Sequence, residues 1–193
     1  QMAKNAGSRG ARVLRRLPGA WPAVAAASLD SMPASASLLA RQRGRRVIFE
    51  RAEPLAWEFA DHRSLGMVVP VTPPIGTGLL ADGWRGARAK AAALAASLGA
   101  DAPLDANSPV APFAGFAAYR VDALRRFAAV LDAHGFSALE ARFPDGELSR
   151  LLDLLASRLV FDAGFAVSEA ETADGLASDY ALLAAKYEDL VAE

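Results

Sequence analysis

Apolar and polar positions change period along the chain, and those changes mark out most of its elements. Val13, Leu14 and Leu17 fall on one helical face among Arg12, Arg15 and Arg16, and Pro18 with Gly19 ends the run. Residues 22–46 are rich in Pro, Ala and Ser and close on a basic cluster from Arg41 to Arg46. That composition predicts a mobile region holding a short helix or two. Val47–Phe49 is a brief β-prone run. Pro54 to Ala60 predicts a helix with proline in its first turn and Leu55, Glu58 and Phe59 on one face. Leu65–Pro70 (LGMVVP) is a short unbroken apolar run closed by proline, the pattern of a buried strand. Thr72 to Gly78 follows as a loop, its glycines and prolines denying it regular structure.

The second half alternates more regularly. Arg85 to Leu98 predicts a helix ended by Gly99, and residues 100–112 a connection. Phe113 to Tyr119 reads as an apolar strand, and Val121 to His134 as a helix with Gly135 after it. Gly146 to Ser157 predicts another helix, and Leu159 to Val167 a strand or strand pair. Thr172 opens the last helix, in which Leu176, Tyr180, Leu183, Tyr187 and Leu190 recur every three or four residues. Strands alternating with helices predict an α/β layered fold. No internal repeat is present.

Composition narrows the function classes. With no cysteine among 193 residues, disulfides, thiol nucleophiles and thiolate metal sites are excluded, which fits a reducing compartment. No stretch of about 18 apolar residues is present to span a bilayer, and the start carries no convincing signal-peptide pattern. The chain begins with Gln1, as a trimmed product or a fragment would. A net charge of −1 hides an asymmetry. Residues 1–51 carry ten Lys/Arg against two acidic residues, a net of +8, and the remainder eleven against twenty, a net of −9. Two polarities on one chain predict either two roles or one segment folding against the other. A basic helix near the start also suits contact with nucleic acid or an anionic membrane, or organelle targeting.

Motifs for phosphate loops, dinucleotide binding, zinc hydrolysis and nucleophile elbows are missing. The only histidines, His62 and His134, fall at predicted helix ends, where a solvated or capping role is commonest. Asp145 and Glu147 are better candidates for chemistry. Asp145 precedes the helix expected from Gly146, where free amides and the helix dipole favour an anion. It serves there as an N-cap with Glu147 in the favourable first turn, or as a carboxylate positioned to take a proton during group transfer. Trp84, Tyr119 and Arg120 have two readings as well. They pack in the core, or they form a surface on which a sugar ring stacks with a guanidinium nearby.

The stretch from Asp61 to Pro70 (DHRSLGMVVP) resembles a passage in the rhamnan synthesis protein F family of glycosyltransferases, where a helix leads into a Leu-Gly-x-Val-x-Pro strand and a loop. The similarity continues through Trp84, the Ala-rich helix and Leu98–Gly99. Ala114 to Leu124 (AGFAAYRVDAL) then resembles the family's Gly-rich aromatic strand ending in Arg-x-x-Ala-Leu. Asp145–Leu148 (DGEL) sits where that family carries an Asp-Gly-Thr segment, and is also similar to the Glu-Asp-x-Asp-Leu motif of inverting family 2 glycosyltransferases. The resemblance covers about residues 47–168, through order and spacing more than any one motif. The aromatic strand is one residue shorter, and the His and Glu-Arg after Asp-Gly-Thr are replaced in the region of Ser149, Arg150, Leu151 and Leu152. No Asp-x-Asp dyad precedes this region to hold a metal against a diphosphate.

The resemblance implies a partial GT-A-like (Rossmann-like) layered sheet with flanking helices, the acceptor-side half of such an enzyme. It divides the chain into a basic segment (1–46), a glycosyltransferase-like domain (47–170) and a C-terminal amphipathic helix (171–193). It implies Asp145 as base, Glu147 as a second carboxylate, and Trp84, Tyr119 and Arg120 as the acceptor wall. No cofactor is expected within this chain; a nucleotide-sugar donor and a divalent metal would enter only through a nucleotide-binding half on another polypeptide. The partner expected is a saccharide acceptor in bacterial surface-polysaccharide synthesis, in the cytoplasm or peripheral to the inner membrane. The alternative is a non-catalytic domain docking through its basic arm onto an acidic partner, a membrane surface or, least favoured, nucleic acid.

Overall fold

The computed structural model describes residues 24–28, 38–71, 83–84, 86–100, 103–106, 109–112, 115–143 and 147–192. Four strands form one mixed sheet: β1 (Val24–Ser28), β2 (Leu65–Pro70), β3 (Phe116–Arg120) and β4 (Ala166–Ala170), in spatial order β1-β3-β2-β4. β3 runs antiparallel to both β1 and β2, whereas β2 and β4 are parallel. The helices are α1 (Leu38–Arg45), α2 (Ala52–Asp61), α3 (Arg88–Ser97), α4 (Val121–His134), α5 (Phe136–Arg142), α6 (Glu147–Asp162) and α7 (Ala173–Ala192). The α/β class expected from the sequence is thus present.

The central strands are buried on both faces, so they read as continuous apolar runs. Alternation then sorts their side chains. Val68, Phe116 and Ala118 pack with Leu55 and Phe59 of α2 and with Val47 and Ile48. Met67, Val69, Ala117 and Tyr119 face the other way, against Ala123 of α4 and Val160 of α6. A third cluster joins α3 to the far side of α6: Ala91, Leu94 and Ala95 meet Leu148, Leu151 and Leu155, with Trp84 and Leu139 of α5 at the margins. α6 therefore buries two faces, Leu148/Leu151/Leu155 toward α3 and Val160 toward the sheet.

Two glycines have structural reasons, one a close approach and the other a left-handed backbone. A Cβ on Gly66 would lie 2.4 Å from Phe165 Cβ and 2.8 Å from Val160 Cγ1, so β2 meets α6 and the entry to β4 only because that side chain is missing. The register between β2 and β4 shifts at this point, between Leu65 and Met67. Gly99, at φ +72°, ends α3: the Ala100 N–H bonds the Ala95 carbonyl at 2.9 Å, closing the helix through a left-handed residue.

Several expectations need correction. Val47–Phe49 is not extended; it lies in a five-residue π-helical segment, Arg46–Glu50, running on from α1, which turns Val47 and Ile48 together into the core. Leu159–Phe161 belongs to α6, which reaches Asp162, and the strand begins later, at Ala166. Strand β1 and helix α1 fall inside the segment 1–46 set apart by charge, yet β1 pairs with β3 along Val24↔Arg120 to Ser28↔Phe116, and Gly44 of α1 sits against Phe116. A boundary at residue 46 therefore cuts through the folded layers. The basic helix expected near residues 11–17 and the loop 72–78 lie outside the described residues.

Candidate functional site

Of the two carboxylates singled out by sequence, Asp145 lies outside the described residues. Glu147 opens α6, as expected for an acidic residue in a first helical turn. Its Oε1 accepts a hydrogen bond from Lys90 Nζ at 2.5 Å. Lys90 stands in the first turn of α3, so this pair draws the N-terminal ends of α3 and α6 together at the surface. Close by, Arg88 of α3 donates from Nε to the Asp105 carbonyl (3.0 Å) and from Nη2 to the Leu104 carbonyl (3.2 Å). The Trp84 indole N–H donates to that same Asp105 carbonyl at 3.0 Å. The result is a surface corner made of two helix starts and the segment 103–106, with charged groups of both signs.

Trp84, Tyr119 and Arg120 are all turned inward. Trp84 is 2% exposed and packs with Ala87, Ala91 and Leu94. Its indole spans from that core to the 103–106 segment, the usual arrangement for a ring with one polar handle. Tyr119 is buried on β3 among Met67, Val69 and Ala123. Burial pushes its phenol far above the ordinary tyrosine range, and the nearby Asp153 carboxylate adds to the effect. Both effects favour the neutral hydroxyl over the phenolate.

Arg120 ends β3 and is equally enclosed. Its Nε donates to the Leu65 carbonyl at 2.8 Å, and its Nη2 to the carbonyls of Phe59 and, at 3.0 Å, His62. The guanidinium also lies 5.7 Å from the centre of the Phe59 ring. A cation on the last carbonyls of α2 satisfies groups that a helix leaves open and opposes the negative end of its dipole. The three residues thus correspond to the core-packing reading and not to an acceptor wall, because no ring face or guanidinium among them is open to a sugar.

A second ionic cluster was not foreseen. Arg43 of α1 reaches the far end of the chain: its Nη1 and Nη2 donate to Asp179 Oδ1 and Oδ2 at 2.7 and 2.6 Å, and its Nε donates to Glu171 Oε2. Glu171 also accepts from the Thr172 N–H at 2.7 Å, and Thr172 Oγ1 caps α7 by accepting from Gly175 N–H at 3.0 Å. Arg51 Nη1 donates to the Glu171 carbonyl at 2.6 Å. The Arg43 guanidinium holds the Asp179 carboxyl below its ordinary range against an opposing effect of burial, and hydrogen bonding to Asp179 raises Arg43 in turn. Arg43 and Arg51 come from the basic part of the chain and their partners from the acidic part. The asymmetry in charge is the one clue that pointed to such a contact.

Among the described residues no three His, Cys, Asp or Glu side chains gather in a way that could hold a metal ion. Among the same residues, no helix is long and apolar enough to cross a membrane. No family model, curated protein or solved structure matches the chain.

Proposed function

We propose that this chain is a glycosyltransferase-like domain of bacterial surface-polysaccharide synthesis, of the rhamnan type, contributing the acceptor side of the reaction. One observation carries the reading: the α6 start, immediately after Asp145 and Gly146, is drawn against the α3 start by Glu147 and Lys90. In general, free amides and the helix dipole favour an anion just ahead of a helix start. The order of β2, α3, β3, α4 and α6 along residues 65–162 is consistent with the resemblance.

In the proposed reaction the Asp145 carboxylate takes the proton of an acceptor hydroxyl. The freed oxygen attacks the anomeric carbon of the donor as the bond to the departing nucleoside diphosphate breaks. Glu147, tied to Lys90, fixes the start of α6. Trp84 and Arg120 act at one remove: Trp84 holds the 103–106 segment, and Arg120 holds the end of α2 to the start of β2. The donor and the charge that stabilises its leaving group belong to a nucleotide-binding part supplied elsewhere.

The test is titration of the full chain with nucleotide sugars and rhamnose-containing oligosaccharides, followed by protein NMR, with wild type and Asp145→Asn side by side. The proposal expects saturable shifts at residues 147–150, Lys90 and Asp105 that weaken in Asp145→Asn. Flat spectra across the panel would overturn it and favour docking through the basic arm.

A further inference from the structure

α7 is the least supported element of the fold. Its first turn is capped by Thr172 and Asp179 is clasped by Arg43, but every residue from Tyr180 to Val191 is exposed. The exposure is apolar: Tyr180, Tyr187, Leu190 and Val191 are all about two-thirds or more open, and Leu176 and Leu183 nearly half. A solvated helix of this length with a bare apolar face is marginal in water, and its stability ordinarily comes from a surface packed on that face.

The spacing of the exposed residues says what that surface is. Leu176, Tyr180, Leu183, Tyr187 and Leu190 are separated by four, three, four and three residues, the alternation of a two-stranded coiled-coil seam. Tyrosines fill one seam position and leucines the other, with Ala173 completing the first. We propose that α7 pairs with α7 of a second copy of this chain, antiparallel, about a two-fold axis passing between residues 181 and 182.

Three features select this arrangement. Antiparallel pairing sets Tyr180 against the partner's Leu183, Leu176 against the partner's Tyr187, and Ala173 against the partner's Leu190. Every layer then joins a large residue to a smaller one, whereas a parallel pair would stack tyrosine on tyrosine twice. The flanking charges agree. Lys186 lies on the same side of the antiparallel seam as the partner's Asp179, a charge of opposite sign, although that carboxylate is mostly buried and clasped by Arg43 and so forms no direct pair with it. In a parallel pair Lys186 would instead face the partner's Val191. Finally, antiparallel helices place the two folded bodies at opposite ends of a bundle about 30 Å long. Such a contact is isologous and closes as a dimer.

This inference does not rest on the glycosyltransferase reading, and its test is separate. Sedimentation of the full chain over a concentration series is expected to show a monomer–dimer equilibrium. Leu183→Lys should weaken it by about tenfold or more by placing like charges in the seam, while Leu182→Lys, one residue off the seam, should leave it unchanged. Both positions are open to solvent in the single chain, so each variant should keep its fold, checked by circular dichroism. The chain has no cysteine of its own, so orientation is read by disulfide trapping. A mixture of Ala173→Cys and Leu190→Cys chains should give the cross-linked heterodimer, and Leu190→Cys alone should not cross-link. A chain that stays monomeric at several hundred micromolar, or a dimer indifferent to Leu183→Lys, overturns the proposal. Cross-linking of Leu190→Cys to itself overturns the antiparallel arrangement, and a monomer whose helix content falls in Leu183→Lys assigns the seam to another segment of the same chain.

Discussion

Arg120 offers the sharpest test of whether the central residues build the fold or face a substrate. In Arg120→Ala the carbonyls of Phe59, His62 and Leu65 lose their shared donor, and they sit where water enters poorly, since Phe59 and Leu65 are buried. Hydrogen bonds to a charged donor contribute roughly 1.5–3 kcal/mol each, so three give a gross loss of several kcal/mol. Against this stands the relief of no longer burying a guanidinium, an offset of a few kcal/mol. The net expectation is a destabilisation of about 3 kcal/mol, a large share of the roughly 5–15 kcal/mol typical of a domain. At a urea slope of about 2 kcal/mol per molar, the midpoint should fall by about 1.5 M with the slope unchanged. Arg120→Lys should fall between, because a single ammonium cannot reproduce the fork that reaches both the α2 terminus and β2. The measurement is equilibrium urea unfolding followed by circular dichroism. An Arg120→Ala chain within about 0.5 kcal/mol of wild type, the range of ordinary surface substitutions, would refute the reasoning. If glycans shifted the NMR spectrum of wild type and that chain lost the shifts, the guanidinium would return to the acceptor wall.

Three other outcomes follow from the same packing. Gly66→Ala forces a Cβ onto Phe165 and Val160 between β2 and α6, and should cost about 2–3 kcal/mol by overpacking, read by the same unfolding curve. Tyr119 should stay protonated as the native protein is titrated into alkali, so one of the three tyrosines will contribute its phenolate absorbance only on unfolding; Tyr119→Phe should leave glycan-induced shifts in place. For the Arg43–Asp179 clasp, the Asp179 carboxyl titrates lower in the folded chain than in the unfolded one, first through its hydrogen bond with Arg43. Its stabilising contribution is therefore complete above the unfolded value, about 4, and is lost as pH falls through the lower folded value. Arg43→Met should flatten the acid limb of a stability–pH profile below about pH 4 relative to wild type, and an unaltered acid limb would remove the clasp from the account.

What could be read from sequence, and what could not, divides along physical lines. Leu65–Pro70 was legible because a strand buried on both faces has no polar alternation to confuse it, and α3 because Gly99 stops it with a left-handed residue. Helix α4 carried its own start and stop, Val121 after the strand and Gly135 at φ +74°. β1 was not legible, since Val24–Ser28 is mostly alanine and alanine has little strand preference of its own; the pairing with β3 imposes the conformation. Leu159–Phe161 misled for the opposite reason. β-branched and aromatic residues suggested a strand, but Val160 continues the face that α6 packs onto the sheet. α5 was missed because its seven residues are too few to show a period.

The site divides in the same way. Glu147 was found because an acidic residue at a helix start has a local electrostatic reason, visible in a few residues. The partners of Arg120 and Arg43 were not visible, because each bond joins residues about 55–136 positions apart and depends on which surfaces the layers bring together. The opposition of a basic start and an acidic end did contain that information in coarse form. It allowed either an arm reaching for an outside anion or one segment folding on the other, and Arg43 and Arg51 are spent on Glu171 and Asp179. That internal use fixes the root of α7 while leaving its outer two-thirds uncovered. The charge pattern therefore accounts for where the last helix begins, and the apolar spacing beyond Asp179 is what the proposed pairing of two copies accounts for.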